Sequence, residues 1–542
     1  PRSTPSNSSA ASDVYKRQDV GFSSFVSLGN EADLSAADFL EALGEDEQTR
    51  VIGLYIEGVK NGERFIKVAM EVTKKKPIIA LKAGTTDVGI RAVSSHTGSL
   101  AGSDVAYSAA FKKASILRVE TLEELFDLVL AFEDQPLPGG KNVLIVTNGG
   151  GPGILAADAC EKRGLNLPQL EPSIRENLRR SLPPHASVNN PVDVLGDADE
   201  NRYRIALEAG LKSSEMNGII VILTPQAMTP VKKIAQAVAE SREKADKPII
   251  SAFMGLDESS PAIKILQKRG IPNYRFPEAA AYVLSRMYEY VFRASSPREE
   301  PPELPGINYG RIRKTLDRVR LEERLNLTVE ESFQIGESAG IPLPPARIAR
   351  SRSEAGKIAE SIGYPVVMKI VSPEILHKTD VGGVVLNIRS REEAERNYDE
   401  ISRKVSLFMP QARISGVLVQ RMAPEGKEVI VGAVRDVQFG PLMMFGLGGI
   451  YVNFLRDVSY RLCPLTRSEA EEMIRETKAY TLLRGVRGEP PSDIDSVVDI
   501  TLKISQIMNH FKEIREMEIN PLFVYEKGRG CAAVDIRITL GK

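Results

Sequence analysis

The chain has 542 residues, 42% of them hydrophobic and 26% charged, which is the balance of a globular protein too long for one core and points to three or four domains. Lys plus Arg is 71 against 72 Asp plus Glu, a net charge of −1 that argues against a nucleic-acid or anionic-membrane surface, and no apolar run is long enough to span a bilayer. Cys160, Cys463 and Cys531 are far apart and form no CxxC, which suits buried thiols in a reducing, cytoplasmic setting better than a disulfide framework or a zinc site.

In chain order, residues 1–11 are polar and Ser-rich, and 13–18 (DVYKRQ) read like a translated adaptor, so 1–18 is set aside as a foreign tail. A strand over 50–56, a helix over 63–73, the run Lys76-Pro77-Ile78-Ile79 and a strand ending at Gly84 come next, then a strand over 116–119 and a helix over 122–132. The pattern returns as a strand over 218–224, a helix over 231–245, Lys247-Pro248-Ile249-Ile250 and a strand ending at Gly255, then a strand over 273–276 and a helix over 278–290. Continuous apolar strands alternating with amphipathic helices imply parallel sheets covered on both faces. Two similar doubly wound domains are expected, 19–138 and 139–294, unless the likeness is a coincidence of generic α/β units. A Pro- and Glu-rich linker, 295–306, separates them from an α+β region, 307–542. That region opens with a helix over 325–340, capped by Thr328 with Glu331 three residues on, and continues with strands over 365–370, 383–388, 416–421 and 428–435.

Five places carry chemistry. His96 sits in Ser94-Ser95-His96-Thr97-Gly98-Ser99, where small neighbours leave its imidazole approachable and hydroxyls can hold an oxyanion; the plain alternative is a His that caps or packs a helix start. Glu57 ends a parallel strand, where active residues of open sheets gather; otherwise it is a solvated loop carboxylate. Gly149, Gly150, Gly151 and Gly153 lie between the strand 143–147 and a helix expected over 154–162, a phosphate site by geometry and dipole but a weak signal alone. Lys369 ends a strand before His377, Gly382 and Gly383, where a cation and close backbone approach suit nucleotide phosphates, or form only a hairpin. Glu518 and Asn520 on one strand and Asp535 on another, over 532–538, are oxygen ligands that suit Mg²⁺, or else an edge hairpin.

The motifs YIEG, SSHTGSLAG, NGGGPG, Asn190-Pro191-Val192-Asp193, HKTDVGGV and EINPL, in that order, resemble the ADP-forming acyl-CoA synthetases, relatives of succinyl-CoA synthetase with a fused ATP-grasp region; the likeness covers 19–542. It implies an α/β fold: two flavodoxin-like domains, then an α+β ATP-grasp domain. It implies that His96 and His377 are phosphohistidines, that Glu57 holds His96, and that Gly149–Gly153 cradles the phosphoryl group. Lys369 and Glu428 would contact nucleotide, with Gln420–Met422 near the adenine, and Asn520 and Asp535, with Glu518, would bind Mg²⁺. The reaction implied is acyl-CoA + ADP + phosphate ⇌ carboxylate + CoA + ATP, with a homo-oligomer expected at full length. Such synthetases begin with a CoA-binding domain and a Ser-Gly-rich phosphate helix. Here the segment GFSSFVSLGN follows the adaptor-like residues directly, so the chain is expected to be truncated and to lack full CoA-dependent activity. Rival readings are the core of a protein lysine acyltransferase, a nucleotide-binding scaffold and a carboxylate–amine ligase. The acyl group and the choice of ADP or GDP are not legible.

Overall fold

The computed structural model describes residues 21–29, 31, 33–86, 103–257, 259–297, 299–372, 375, 381–448 and 457–541. It divides into two compact units, 1–101 with 111–297 and 102–110 with 298–542. Among the described residues no helix is long and apolar enough to cross a membrane.

The first unit holds two parallel sheets. Strands β1 (Ile52–Ile56), β2 (Ile78–Lys82) and β3 (Leu117–Val119) run in the order β1-β2-β3; β4 (Val143–Thr147), β5 (Val192–Asp193), β6 (Gly218–Leu223) and β7 (Ile249–Phe253) run in the order β5-β4-β6-β7. Every residue of β2, β4, β6 and β7 is buried, which is why these strands read as near-continuous apolar runs rather than alternations, with Lys82, Thr147 and Ser251 as the polar exceptions. The helix Gly62–Val72, capped by Asn61, buries Phe65, Ile66, Ala69 and Val72, one helical face. One core cluster runs through both sheets, from Ile79 and Leu125 to Ile145, Ile220 and Leu284. Buried Gln135 ties them further: its side-chain oxygen accepts from Ile249 N–H at 2.8 Å and its amide donates to the Gly270 carbonyl.

The repeat is a structural one. Lys76 Nζ donates to the carbonyls of Leu43 and Asp46, at the end of the helix Ala36–Glu45 (2.9 and 2.5 Å). Lys247 Nζ donates to those of Gly210 and Ser213, at the end of the helix Glu200–Lys212 (3.4 and 2.7 Å). Each lysine thus satisfies terminal carbonyls that a helix cannot pair internally. The following prolines match too: Ile52 N–H donates to the Pro77 carbonyl at 3.0 Å and Ile219 N–H to that of Pro248 at 2.9 Å. Two residues after each second strand stands a glycine at φ +71°, Gly84 and Gly255. One expected strand fails: over 273–276 there is only the isolated bridge Ser251↔Asn273, because Pro277 starts the next helix, Pro277–Ser295.

The second unit has two antiparallel sheets. The smaller joins β8 (Ala346–Ala349), β9 (Val366–Val371), β10 (Val384–Ile388) and β11 (Gly416–Arg421) in the order β10-β9-β11-β8, packed on the helices Arg352–Ile362 and Arg391–Phe408. The larger contains β12 (Lys427–Asp436), β13 (Gly440–Leu447), β14 (Val458–Leu462), β15 (Ile514–Val524), β16 (Cys531–Ala533) and β17 (Ile536–Leu540), in the order β14-β13-β12-β15-β16 with β17 also on β15. Its core takes in the helices Tyr309–Leu321 and Ile494–His510. The helix expected over 325–340 is shorter, Val329–Ser338, but Thr328 and Glu331 form the expected reciprocal cap.

Candidate active site

Glu57 directly follows β1 and is half-buried. Its carbonyl accepts a hydrogen bond from Lys82 Nζ at 3.0 Å, and the same ammonium donates to the Ala83 carbonyl. Lys82 is the last residue of β2 and only 4% exposed. His96 lies outside the described residues, and so does His377.

At the carboxyl end of β4 the expectation needs correction. The helix starts at Gly150, not at residue 154: it spans Gly150–Lys162 with Gly149 as its N-cap, so Gly150, Gly151 and Gly153 are its first turn. Pro152 fits there because first-turn N–H groups have no partner in the helix. The turn is anchored from below. Thr147 Oγ donates to the Gly149 carbonyl at 2.9 Å, and the buried Asn148 side chain brackets the backbone of Thr224, accepting from its N–H at 2.8 Å and donating to its carbonyl at 2.9 Å. A Cβ on Gly151 would touch nothing, and one on Gly150 only Asp193 Oδ2 at 3.7 Å, whereas one on Gly153 would press on Thr147 at 3.0 Å. Gly153 therefore packs the helix on β4, while Gly150 and Gly151 leave the positive helix end open to an anion.

In the second unit Lys369 and Gln420 converge. Lys369 on β9 is 9% exposed and its Nζ donates to the Val534 carbonyl at 3.1 Å; Gln420 on β11 is fully buried and its Nε2 donates to the same oxygen at 3.2 Å. Gln420 Oε1 is buried without a partner among the described residues. Val534 and Asp535 were expected within one strand over 532–538, but that run breaks there into β16 and β17. The break sits against the cis Asn520–Pro521 bond: Val534 N–H donates to the Pro521 carbonyl, and Asn520 N–H to that of Asp535, both at 3.2 Å. Asp535 and Asn520 are thus brought together, with Glu518 two residues along β15. Burial raises the Glu518 carboxyl, opposed by a hydrogen bond from the Asn520 side chain. Among the described residues no group of three or more His, Cys, Asp or Glu gathers. The donors are two carboxylates and an amide, an all-oxygen set that fits a hard cation completing its shell with phosphate and water.

Gly382 takes φ +66°, which closes the turn into β10, and the Gly383 carbonyl accepts from Ile370 N–H at 2.7 Å. Val384 then lies opposite Lys369. Met422 is half-buried, its N–H on the Pro365 carbonyl at 3.0 Å. Glu428 is exposed at the start of β12, opposite Phe523, and among the described residues no hydrogen bond links it to the Val534 carbonyl.

Residues 6–132 match the family described as "Succinyl-CoA ligase like flavodoxin domain", 143–296 match "Ligase-CoA domain", and 318–540 match "ATP-grasp domain". Over 525 residues the chain is 41% identical to 4-hydroxybutyrate–CoA ligase [ADP-forming] of Nitrosopumilus maritimus, covering 96% of this chain and 75% of that protein. Over 527 residues it is 42% identical to acetate–CoA ligase [ADP-forming] I of Archaeoglobus fulgidus, covering 97% and 75%. The chain belongs to the ADP-forming acyl-CoA synthetases. Among solved structures it resembles "Ca. Korarchaeum cryptofilum dinucleotide forming Acetyl-coenzyme A synthetase 1 in complex with phosphate and ADP", at 36% identity and TM-score 0.49, covering 51% of this chain and 61% of that one.

The synthetase is thus an acid–thiol ligase with flavodoxin-like and ATP-grasp parts. The expected incompleteness is not shown; the flavodoxin-like match begins at residue 6, inside the stretch set aside as foreign. Sequence reasoning missed two features of this synthetase. The Val534 carbonyl carries no side-chain signature. Lys82 had one: β2 reads IIALK where its counterpart β7 reads IISAF.

Proposed function

We propose that this synthetase interconverts acyl-CoA, ADP and phosphate with carboxylate, CoA and ATP, using His96 and His377 as successive phosphoryl carriers. The observation that carries the reading is the convergence of Lys369 and Gln420 on the Val534 carbonyl, next to Asn520 and Asp535. It sets a buried cation and a buried amide beside an oxygen-rich edge, the parts a nucleotide polyphosphate needs.

An imidazole nitrogen of His96 takes the phosphoryl group from an acyl phosphate, and the carboxylate leaves with the electrons of the broken P–O bond. Glu57 holds that imidazole, and the open first turn of the helix Gly150–Lys162 stabilises the phosphoryl oxygens. His377 next accepts the group, and a terminal oxygen of ADP then displaces the imidazole. Lys369 neutralises nucleotide phosphates, Gly382 and Gly383 let the backbone approach them, and Gln420 with Met422 borders the adenine. Glu428 reaches the nucleotide from the start of β12. Glu518, Asn520 and Asp535 would hold Mg²⁺, which when bound offsets the phosphate charge. The acyl group is a short aliphatic one, in line with relatives named for acetate and 4-hydroxybutyrate. We place the domain divisions at 138/139 and across the linker 295–306.

Incubation with γ-labelled ATP and Mg²⁺ tests the relay. Acid-labile, alkali-stable label should appear on the chain, vanish in His377→Ala, and remain on His377 alone in His96→Ala. Undiminished label in the double variant would sink it.

A further inference from the structure

The two copies of the repeat act as each other's control. β1 pairs β2 and β6 pairs β7 in matching register, Ile52↔Ile78 through Ile56↔Lys82 and Ile219↔Ile249 through Leu223↔Phe253. Lys82 therefore occupies the position of Phe253, and Glu57 that of Thr224. Phe253 is fully buried and belongs to the second copy's core. The scaffold thus fills this strand end with a hydrocarbon ring where no charge is needed. In the first copy the same position buries an ammonium group, which costs free energy unless its protons find acceptors. Two of those acceptors are backbone carbonyls, of Glu57 and of Ala83, at the carboxyl ends of neighbouring strands. In the second copy the backbone after β6 is held differently, by the Asn148 side chain on Thr224.

We propose that Lys82 is a positioning residue for phosphoryl transfer: by clamping the Glu57 carbonyl to the end of β2, it fixes where the Glu57 carboxylate can reach. The proposal rests on the assignment of Glu57 as the group that holds His96. A carboxylate on a loop following a strand is free to swing unless its backbone is fixed, and a misplacement of about 1 Å can cost on the order of 100-fold in rate. Because hydrocarbon is tolerated in the second copy, Lys82→Met is expected to fold.

The test is a double-mutant cycle on the whole chain with γ-labelled ATP and Mg²⁺, reading His377 and His96 labels separately by peptide mapping. Lys82→Met should label His377 at the parental rate and pass label to His96 roughly 10- to 100-fold more slowly. Glu57→Gln should do likewise, and the double variant should be no slower than Glu57→Gln alone, which a purely structural role for Lys82 would not produce. Parental transfer in Lys82→Met, or losses that multiply in the double variant, would overturn the proposal. Should Lys82→Met lose its thermal transition, Lys82→Phe, the residue of the second copy, replaces it under the same criteria; if that variant also fails to fold, Lys82 serves the fold and the proposal falls. Absence of His96 label from the parental chain would instead remove the assignment on which the proposal stands.

Discussion

In the first copy of the repeated unit Glu57 follows β1 and Lys82 ends its partner β2; in the second, Thr224 follows β6 and Phe253 ends β7. Away from those ends the copies agree closely. Lys76 and Lys247 close a helix in the same way, Pro77 and Pro248 accept the same strand hydrogen bond, and Gly84 and Gly255 turn the chain at the same φ. Features shared by both copies are what the scaffold requires. Features found in one copy are candidates for chemistry, and by that measure the charged Glu57 and Lys82 stand out in the first copy, where the second has the neutral Thr224 and Phe253.

The hardest blow to this comparison would be a second copy that accepts a lysine. Phe253 is fully buried in an apolar cluster, so Phe253→Lys loses the ring and buries an ammonium group. A loss of about 4 kcal/mol or more is expected, seen as a lowered urea midpoint for the first unit. If the midpoint stays put, the strand end tolerates lysine by default, and Lys82 carries no functional meaning.

The seam between the copies gives a pH-dependent prediction. Asp127, on the helix Leu122–Asp134, gives its carbonyl to the Tyr274 hydroxyl at 2.7 Å, and burial, with Glu123 and Glu124 close by, pushes its carboxyl up to about 7. The folded chain then holds a proton that the unfolded chain releases near pH 4, so stability falls as pH rises from about 4 to 7 and the penalty is complete above 7. Asp127→Asn should raise the unfolding free energy at pH 8, by no more than about 4 kcal/mol, and leave it unchanged near pH 3, as read from urea unfolding. A gain that is the same at both pH values would remove the buried carboxyl as its cause.

Glu57→Gln sharpens the comparison from the chemical side. It should slow labelling of His96 about 100-fold, equivalent to about 2.7 kcal/mol, and spare His377. Thr224→Val, at the equivalent position, should cost less; equal losses would mean that both strand ends share the work.

Much of this was legible in the chain. The two KPII runs revealed the repeat, because a proline and a lysine before a buried strand are both used structurally. Thr328 with Glu331 fixed a helix start because capping is local. Misjudged features depended on tertiary partners. Gly150, Gly151 and Gly153 read as a turn and are helical, since Asn148 and Thr147 anchor the backbone that would otherwise disfavour a glycine-rich first turn. Asp535 read as a strand residue and sits in a break, since Pro521, opposite Val534, has no N–H to give the Val534 carbonyl, which accepts from Lys369 and Gln420 instead. Lys82 went unseen because the strand was expected to run on to Gly84, with no His or paired glycines to single it out as they single out Lys369; aligning the two copies would have set it against Phe253.

The mildest test concerns the two lysines that look alike. Lys247 is 8% exposed, and its ammonium spans the carbonyls of Gly210 and Ser213; Lys76 makes the matching pair of bonds to Leu43 and Asp46 from a half-buried position. Removing either ammonium leaves helix-end carbonyls unpaired and takes a positive charge from the negative end of the helix dipole. Water can replace the lost donor at residue 76 but hardly at 247. Lys247→Met should therefore cost about 2 kcal/mol and Lys76→Met about 1 kcal/mol, read from urea midpoints of the first unit. Equal costs would mean that burial does not distinguish the two caps. A larger cost at Lys76 would mean that the first copy depends on its cap for more than helix closure, and the division of scaffold from chemistry at the strand ends would have to be redrawn one element earlier, at the helix Ala36–Glu45.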